Sequence, residues 1–457
     1  MNLMTPLVIS KVVENDLCIG CGACVQACPS KALDVGWNNH GFLVATSNDN
    51  RCDGCGACIE VCPFNPDPGP TYKDENGLAA TFLAEAPEHH SKIGNYHSIY
   101  AGYSKKHRET SSSGGIATFL YEKLFEKGLI DHVVTVGESE AAGTHYQYLI
   151  VSNKADLPRI SKTRYHPVTL ATALEKIKQL EGRVAISGVG CFIKAIRLAQ
   201  DKDPVLKDKI FFLVGIICGG VKSKFFTDYL AGRAGAALND FSSPEYRVKD
   251  PASTAMDYGF SCTDNPSNTT KLIKMREVGD MWGTGLFKAN ACDFCDDVTT
   301  ELADISLGDA WLKPYNEDGS GHNVIVSRST IANRILQEGL VSGELELEIL
   351  PQEQFLASQL GSFNHRHDGM STRIEMTKRA GDVAPPTRVN SNKQPYYLRL
   401  VQKSRRKTRL SSLKIWAEYK DSSKFDLLMK PELLKLRIVT KLSHAVRKLK
   451  KLSGVNS

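Results

Sequence analysis

The sequence predicts a small α+β module, followed by an α/β domain and a basic helical C-terminal segment. Three observations support this order. Two runs of four cysteines lie within residues 18–63. From about residue 100 onward, apolar β-branched runs typical of buried strands alternate with helical patterns. After residue 400, leucines recur at helical spacing among lysines and arginines. The expected domains are residues 1–70, 95–380 and 395–457.

The composition is that of an ordinary globular chain, apart from its many cysteines. Of the 457 residues, 42% are hydrophobic, 24% are charged and 13 are cysteines. The first residues lack the basic and apolar regions of a secretory signal, and no apolar run is long enough for a transmembrane helix. Because free thiols in such numbers belong in a reducing compartment, the sequence predicts a cytoplasmic protein.

Charge is distributed unevenly along the chain. Residues 401–457 carry 16 Lys and Arg against 4 Asp and Glu, a net charge of +12. Since the whole chain carries +6, the other 400 residues carry −6. An anionic partner is therefore expected at the C-terminal segment, and specific nucleic-acid binding by the body of the protein is not expected.

One motif occurs twice in the N-terminal module. Each copy reads C-x₂-C-x₂-C-x₃-C-P, the spacing of bacterial ferredoxins, and we infer a ferredoxin-like fold with two 4Fe–4S clusters. In such modules the fourth cysteine of each run ligates the other cluster. Zinc and disulfides are weaker alternatives, because zinc sites pair C-x₂-C units and disulfide knots occur in secreted chains. The predicted ligands are Cys18, Cys21, Cys24 and Cys62 for cluster one, and Cys52, Cys55, Cys58 and Cys28 for cluster two.

The remaining elements follow from hydrophobic periodicity. A hairpin is expected from residues 31–35 and 42–45, and the proline-rich segment after Cys62 marks the end of the module. Alternating strands and helices beyond it favour an α/β core that is at least partly parallel. The predicted strands are 131–136, 148–152, 183–188, 210–218, 303–311 and 323–327, and the predicted helices are 116–127, 168–181, 192–199, 221–232 and 432–452.

Four further cysteines lie in positions that suit metal binding. Cys191 and Cys218 each follow a predicted strand in a glycine-rich turn, where helix N-terminal N–H groups favour a thiolate. Cys292 and Cys295 form another C-x₂-C pair. The spacing leaves two interpretations open, a third cluster at the carboxyl edge of the sheet or small buried hydrophobic side chains. Cys262 has no partner in the pattern and is expected in the core.

Several motifs together resemble the coenzyme F420 hydrogenase/dehydrogenase beta-subunit family, which includes the 7-hydroxymethyl chlorophyll a reductase-like proteins. They are GVGC at 188–191, the Cys218 turn, the C-x₂-C followed by ELADISLGD, and the SSSGG helix start. The resemblance covers about residues 1–380, including the ferredoxin module. It implies a flavin-binding α/β domain with its own 4Fe–4S cluster, in which FAD passes electrons between a hydride partner and iron–sulfur centres. Carried over by position, it implies that the ligands of this third cluster are Cys191, Cys218, Cys292 and Cys295.

Two segments are candidates for flavin contacts. The first opens a helix with small residues whose N–H groups suit a phosphate or flavin edge, although N-capping by serine explains them equally well. The second resembles the family's basic–aromatic motif near its flavin, where cations suit a pyrophosphate; a solvated loop is the alternative. Asp309 is either structural or faces the flavin, and no GxGxxG fingerprint or Walker loop is present. The candidates are Ser112, Ser113, Gly114 and Gly115 in the first segment, and Lys162, Arg164 and Tyr165 in the second.

The resemblance implies an iron–sulfur flavoprotein oxidoreductase in electron transport. Electrons would enter from a ferredoxin or another redox protein and reach FAD. From there they would pass as hydride to a small molecule with CH or CH2 group chemistry, or the flow would run in reverse. Alternatives are part of a dehydrogenase for the deazaflavin coenzyme F420, a reductase in cell-surface polysaccharide biosynthesis and a non-catalytic electron-transfer adaptor. The basic tail is either a helix packed on its own protein, or a contact with an acidic partner or with an anionic membrane at its inner face.

Overall fold

The structure is a computed structural model that describes residues 4–48, 51–141, 143–389 and 394–452, without the side chains of residues 450–452. The last five residues of the expected tail, 453–457, lie outside the described residues, and so does the side chain of Leu452.

The N-terminal module folds around the two cysteine runs. A π-helical segment, Ile9–Val13, precedes the first run, and an antiparallel hairpin separates the first run from the second. Each run ends in one helical turn whose N-cap is a glycine with positive φ, Gly22 at 79° and Gly56 at 77°. The predicted hairpin is confirmed. The elements are α1 (Ala23–Gln26), β1 (Leu33–Trp37), β2 (Leu43–Ser47), α2 (Ala57–Glu60) and α3 (Glu75–Phe82).

The body follows this module, with strands and helices in alternation. Between its longer elements lie 3-10 helices at Lys154–Ile160, Asn290–Asp293 and Tyr315–Glu317, and a π-helical segment at Asn364–Asp368. In chain order the body contains β3 (Glu88–His90), β4 (Gly94–Tyr96), β5 (Ser98–Ser104), α4 (Ile116–Glu126), β6 (His132–Glu138), β7 (Tyr146–Val151), α5 (Ala171–Gln179), β8 (Val184–Val189), α6 (Gly190–Lys202), α7 (Pro204–Lys209), β9 (Ile210–Ile216), α8 (Lys224–Arg233), β10 (Phe241–Val248), β11 (Gly259–Asp264), β12 (Thr269–Lys274), α9 (Met275–Val278), β13 (Ile305–Asp309), β14 (Asn323–Ser327), α10 (Thr330–Val341), β15 (Leu345–Ile349), α11 (Gln352–Ser358), α12 (Leu360–Phe363) and α13 (Met370–Arg379).

An eight-stranded mixed sheet is the centre of the body. Its strand order is β15-β5-β14-β13-β9-β8-β6-β7. The inner strands β6, β8, β9 and β13 pair in parallel, while β7 on one side and β14, β5 and β15 on the other pair antiparallel. The prediction of a partly parallel α/β core is therefore confirmed. A separate antiparallel sheet, β10-β11-β12, was not predicted, nor were β5 and β15.

Both faces of the main sheet are covered. Helices α4 and α10 pack on one face through Phe119, Leu120 and Leu336. Helices α5 and α6 pack on the other face, where they share a continuous apolar core with the N-terminal module. The ferredoxin-like module therefore lies against the α5–α6 side of the body.

The C-terminal segment forms two helices, α14 (Tyr396–Tyr419) and α15 (Ser422–Leu452), joined at Lys420 in the left-handed region. Trp416 and Phe425 are each 1% exposed and pack against Tyr229 and Phe287 of the body. The predicted helix 432–452 lies within α15. This part of the chain is thus anchored on its own protein, as one of the two interpretations of the sequence expected. Within the described ranges, no helix is both long and apolar enough to cross a membrane.

Candidate iron–sulfur and flavin sites

The first cysteine group lines a single cavity. Cys18, Cys21 and Cys24 of the first run meet Cys62 of the second run around one cavity. Burial raises the pKa of Cys24 and Cys62 well above the usual range, and neighbouring thiols of the same group add to both shifts. The rest of the lining is mostly apolar and includes Val8, Val12, Leu17, Ala45 and Phe64. The exchange of the fourth cysteine matches the ligand pattern predicted for cluster one.

The second group combines three cysteines of the second run with the fourth cysteine of the first run. It lies nearer the surface than the first group. Burial raises the pKa of Cys58, and the thiols of Cys28, Cys52 and Cys55 contribute to that shift. Cys28, from the first run, therefore lies with the second run. Cys55 is exposed. The pKa of Cys24 is also raised by Cys58, so the first two groups are neighbours.

The third group forms where adjacent parallel strands end. Strands β8 and β9 pair in register up to Val189 and Ile216, so Cys191 at the start of α6 and Cys218 after β9 meet at one edge of the sheet. Burial raises the pKa of Cys191 well above the usual range, and the thiols of Cys295, Cys292 and Cys218 add to the shift. The structure thus brings together all four cysteines that the resemblance implied.

Hydrogen-bond donors point at the sulfurs of the third group. The backbone N–H groups of Gly220 and Val221 donate to Cys218 Sγ and Cys292 Sγ, both at 3.2 Å. Arg366 donates from Nη1 to Cys295 Sγ at 3.2 Å, and its guanidinium also donates to the carbonyl oxygens of Cys218 and Asp297. Its side chain is buried, at 5% exposure. Sequence reasoning missed Arg366, since no motif surrounds it.

These groups differ from a site for a single metal ion. Among the residues that the structure describes, no three His, Cys, Asp or Glu side chains are arranged to hold one ion. A cubane binds each thiolate through a different iron, so its ligands stand around the cluster instead of converging on one point. Four thiols per group, an open cavity in the first group and N–H donors in the third fit 4Fe–4S chemistry. The individual ligand assignments stay predictions.

The two predicted flavin segments lie side by side. Ser112 Oγ accepts a hydrogen bond from Thr163 N at 2.9 Å, and Ser113 Oγ donates to the carbonyl of His322 at 3.0 Å. Serine does not cap the helix, because the N-cap of α4 is Gly115, at φ 79° and without a side-chain bond. Gly114 is pressed against strand backbone, and a Cβ there would lie 2.6 Å from the carbonyl oxygen of Gly102. The glycines therefore permit close packing at the helix start, and a flavin contact stays a prediction.

The second segment is half-buried, and its three predicted residues already have protein contacts. Lys162 pairs with Glu245 at 2.7 Å. The Arg164 guanidinium lies 5.0 Å from the ring centre of Tyr146. The ring of Tyr165 meets that of Trp282 edge-on at 4.8 Å. The segment is therefore not a solvated loop.

A buried cation that the sequence did not single out joins these segments. Arg247 is 5% exposed and donates from Nη2 to Asp309 Oδ1 at 2.9 Å. It also donates from Nε to the carbonyl oxygen of Ser112 at 3.5 Å and lies beside the Tyr165 hydroxyl. Asp309, whose role the sequence left open, is thus an ion-pair partner of Arg247.

Positive charge is concentrated around the serine segment. Lys249 Nζ donates to the carbonyl oxygens of Ser113, at 2.7 Å, and Arg108. Burial lowers the pKa of Lys249 to about 7, and the nearby cations of Arg108, Lys162 and Arg247 contribute. Among the described residues, the buried Arg164 Nε and Ser111 Oγ have no hydrogen-bond partner. Three of these four cations pair with a carboxylate, Arg108 with Asp318, Lys162 with Glu245 and Arg247 with Asp309. The fourth cation, Lys249, and the unpartnered polar atoms fit an anionic group such as a flavin pyrophosphate.

Trp282 lies between this cluster of cations and the third cysteine group. A Cβ added to Gly219, the neighbour of Cys218, would lie 2.9 Å from the Trp282 ring. The Lys222 ammonium lies 4.7 Å from the centre of the same ring. A continuous path in space therefore leads from the third cysteine group through Trp282 and Tyr165 to Arg247. These residues are far apart in sequence.

Three models of known families match the chain. Residues 17–65 match "4Fe-4S dicluster domain". The other two models describe the "Coenzyme F420 hydrogenase/dehydrogenase, beta subunit". Its N-terminal model matches residues 99–175, and its C-terminal model matches residues 181–353. The cysteines of the first two groups lie within the dicluster match, and those of the third group lie within the C-terminal match.

Individual proteins of known name are more distantly similar. The F polypeptide of the F(420)H(2) dehydrogenase of Methanosarcina mazei is 22% identical over 345 residues, which cover 75% of this chain and 87% of that protein. The beta polypeptide of the coenzyme F420 hydrogenase of Methanosarcina barkeri is 23% identical over 242 residues, which cover 52% of this chain and 75% of that protein. A chain of the solved F420-reducing NiFe hydrogenase complex from Methanosarcina barkeri aligns with a TM-score of 0.50 and 20% identity, over 66% of this chain and 100% of that one. This last likeness concerns the fold alone.

Proposed function

The chain belongs to the coenzyme F420 hydrogenase/dehydrogenase beta-subunit family and carries a 4Fe–4S dicluster domain. We therefore propose that it is an iron–sulfur flavoprotein oxidoreductase. It would exchange electrons between a redox protein and a small molecule that accepts or donates hydride. The observation that supports this proposal best is the spatial order of the sites. The second cysteine group, in which Cys55 is exposed, adjoins the more deeply buried first group, and the first group adjoins the third. Trp282 and Tyr165 lead from the third group to the cluster of cations around Arg247.

In this proposal the chain holds three clusters and one FAD. The second cysteine group, with Cys55 at the surface, is the docking point for a ferredoxin or another redox protein. The first and third groups are neighbours across the junction of the module and the body, because the thiol of Cys21 contributes to the raised pKa of Cys191. Bound FAD supplies the exchange between one-electron carriers and a two-electron hydride.

The cluster of cations around Arg247 is the proposed flavin site. Arg247, Lys249 and Lys162 provide positive charge for the pyrophosphate, and Tyr165 and Trp282 provide aromatic surface on the side of the third cysteine group. The ion pair with Asp309 fixes the Arg247 guanidinium, and the backbone of Ser112 and Ser113 accepts from Arg247 and Lys249. Ser112, Ser113, Gly114, Gly115 and Arg164 stay proposed flavin contacts beside this cluster of cations.

The deazaflavin coenzyme F420 is a second candidate for the small-molecule partner. It is favoured by the names of the two Methanosarcina relatives, one of which matches this chain over 87% of its own length. We further propose that the protein works in the cytoplasm, because its cysteines are free, and that the basic C-terminal segment contacts an anionic partner.

Composition after anaerobic purification tests the proposal. Three clusters and one flavin predict about twelve iron atoms, about twelve sulfides and one FAD per chain. About eight iron atoms without flavin would instead indicate an electron-transfer adaptor.

Paired alanine variants locate the third cluster. Cys295→Ala is expected to lower the iron content to about eight atoms per chain. The matched control is Cys262→Ala, since Cys262 is 1% exposed and lies in β11, outside the three groups. Equal iron loss in both variants, or full iron in Cys295→Ala, would contradict the assignment.

A further inference from the structure

The outward face of α15 carries a continuous apolar stripe. Its side chains are between 49% and 69% exposed, and successive members are separated by 7, 4, 4 and 7 residues. Such spacing places them on one side of a helix. At 1.5 Å per residue, the stripe is about 33 Å long. It consists of Leu427, Leu434, Ile438, Leu442 and Leu449.

The opposite face of α15 is the one that holds the helix on the protein. Phe425, Met429 and Leu436 are at most 4% exposed. Phe425 packs against Tyr229 of α8 with ring centres 4.8 Å apart. The apolar stripe is therefore not needed to anchor α15, and the helix presents it to the surroundings in a fixed orientation.

Cations flank the apolar stripe, while the acidic side chains are turned away from it. Lys430, Lys435, Arg437, Lys441 and Lys448 are exposed. The two carboxylates of α15 pair with other elements, Asp426 with Arg233 at 2.7 Å and Glu432 with Lys407 at 2.5 Å. With nine Lys and Arg against these two acids, α15 carries a net charge of +7. The surface that it presents is both apolar and cationic.

We infer that the apolar stripe and its flanking lysines bind the surface of a membrane that contains anionic lipids. Helices that lie in the membrane interface combine a leucine-rich face with lysines, whose aliphatic stems follow the apolar face while their ammonium groups reach the headgroups. Anionic headgroups attract such clusters of cations. The inference narrows the anionic partner proposed above to a lipid surface and does not depend on the redox chemistry.

Two other occupants fit this surface less well. The cores of protein–protein interfaces are depleted in lysine and enriched in aromatic residues, methionine and arginine, whereas the stripe contains only leucine and isoleucine. A second copy of the chain would bring two segments of net charge +12 against each other, with the repulsion that this entails. The combination of charge and composition favours lipid.

Sedimentation of the full-length holoprotein with vesicles tests the inference. We expect binding to phosphatidylcholine vesicles that contain phosphatidylglycerol, little binding to pure phosphatidylcholine, and weaker binding as salt is raised, because salt screens the lysines. Replacing the centre of the stripe, by Leu434→Ser, Ile438→Ser and Leu442→Ser together, is expected to lower the affinity at least about tenfold. The matched control replaces three exposed aliphatic side chains elsewhere, by Leu272→Ser, Val341→Ser and Ile349→Ser. It is expected to bind the vesicles with the affinity of the parent chain.

Each alternative has a distinct result. Absence of wild-type binding to the anionic vesicles, or equal binding by the stripe variant, would overturn the inference. A concentration-dependent dimer that the stripe variant abolishes would overturn it in favour of a second copy. Iron and flavin content, measured on the same samples, should be unchanged in both variants, so failure of the redox proposal is recognised separately.

Discussion

At the scale of single residues, Arg366 is the side chain most directly coupled to the third cysteine group. It places a buried positive charge against Cys295 Sγ and fixes the backbone on both sides through the carbonyl oxygens of Cys218 and Asp297. Cluster potentials depend on net charge and on hydrogen bonds to the sulfurs. A guanidinium at this position should therefore stabilise the reduced, more negative cluster.

Replacing Arg366 tests this role. Arg366→Met is expected to lower the midpoint potential of the third cluster, because the added electron loses a nearby positive charge, and Arg366→Lys should recover part of the shift. A redox titration followed by electron paramagnetic resonance measures the potential, with iron content as the check that the cluster is retained. Arg379→Met, at an exposed arginine of α13, is the control. An unchanged potential in a fully loaded Arg366→Met protein would refute the coupling.

His166 is expected to make stability depend on pH. Its Nδ1 lies 3.2 Å from Thr227 Oγ1, and burial lowers its pKa to about 3, with His145 and Lys224 contributing. The unfolded chain binds a proton near pH 6.5 that the folded chain binds only near pH 3, so stability falls as pH drops below 6.5. The free energy of unfolding is therefore expected to fall by about 2 kcal/mol between neutral pH and pH 5.

The His166→Gln variant isolates this contribution. In thermal unfolding measured between pH 7.5 and 5, the unfolding temperature of the variant should decline less with falling pH than that of the parent chain. The exposed His89→Gln is the control, since that side chain lies at the surface and its removal should leave the decline unchanged. Identical pH profiles for His166→Gln and the parent would show that this histidine is not the cause.

At the scale of elements, the sequence predicts what is local in the chain. Strands β8 and β9 are continuous apolar runs that end in glycine-rich turns, so both the strands and the cysteines at their ends could be predicted. The cysteine runs of the module specify their groups through spacing alone. Strand β15, with sequence LELEI, does carry the alternating pattern of a half-buried strand, which the sequence analysis did not use. Its pairing with β5, more than 200 residues away, has no local signal.

The same distinction explains which site residues sequence reasoning missed. Arg247 and Arg366 belong to no motif, and each acquires its role through contacts with residues more than 60 positions away. Strand and loop backbone lies beside Gly114 and Gly115, so their residue type alone does not separate a ligand cradle from close packing. In the C-terminal segment, helical spacing predicted α15. The helix pair α14–α15 is anchored through Trp416, which packs against Tyr229 and Phe287. No local sequence pattern connects Trp416 with those two residues.

At the scale of the whole molecule, the junction between the ferredoxin module and the body determines whether the cysteine groups form one chain of sites. Leu170 N donates to the carbonyl oxygen of Cys21 at 2.8 Å, just before α5 begins. The adjacent Gly22 has φ 79°, and a Cβ there would lie 2.3 Å from Thr169 Oγ1 and 2.7 Å from Ala171 N. The body therefore packs closely against the module beside Cys21, whose thiol contributes to the raised pKa of Cys191.

The internal repeat provides a matched test of this junction. Gly22 and Gly56 occupy equivalent positions in the two cysteine runs and have nearly the same φ, 79° and 77°. Alanine at either position should cost about 1–2 kcal/mol through backbone conformation. Only Gly22→Ala also collides with the body, since the Gly56 position has a single contact, 3.8 Å from Leu7 Cδ1. Gly22→Ala should therefore lose about 1–3 kcal/mol more of unfolding free energy than Gly56→Ala.

Electron transfer should separate the two variants further. With iron content unchanged, reduction of bound flavin by a reduced ferredoxin should be slower in Gly22→Ala than in Gly56→Ala, because displacing the module separates Cys21 from Cys191. Stopped-flow absorbance of the flavin measures the rate, and direct reduction by dithionite shows whether the flavin itself is intact. If Gly22→Ala loses unfolding free energy as expected and still transfers electrons at the parent rate, the contact between the module and the body beside Cys21 does not limit electron transfer to the flavin.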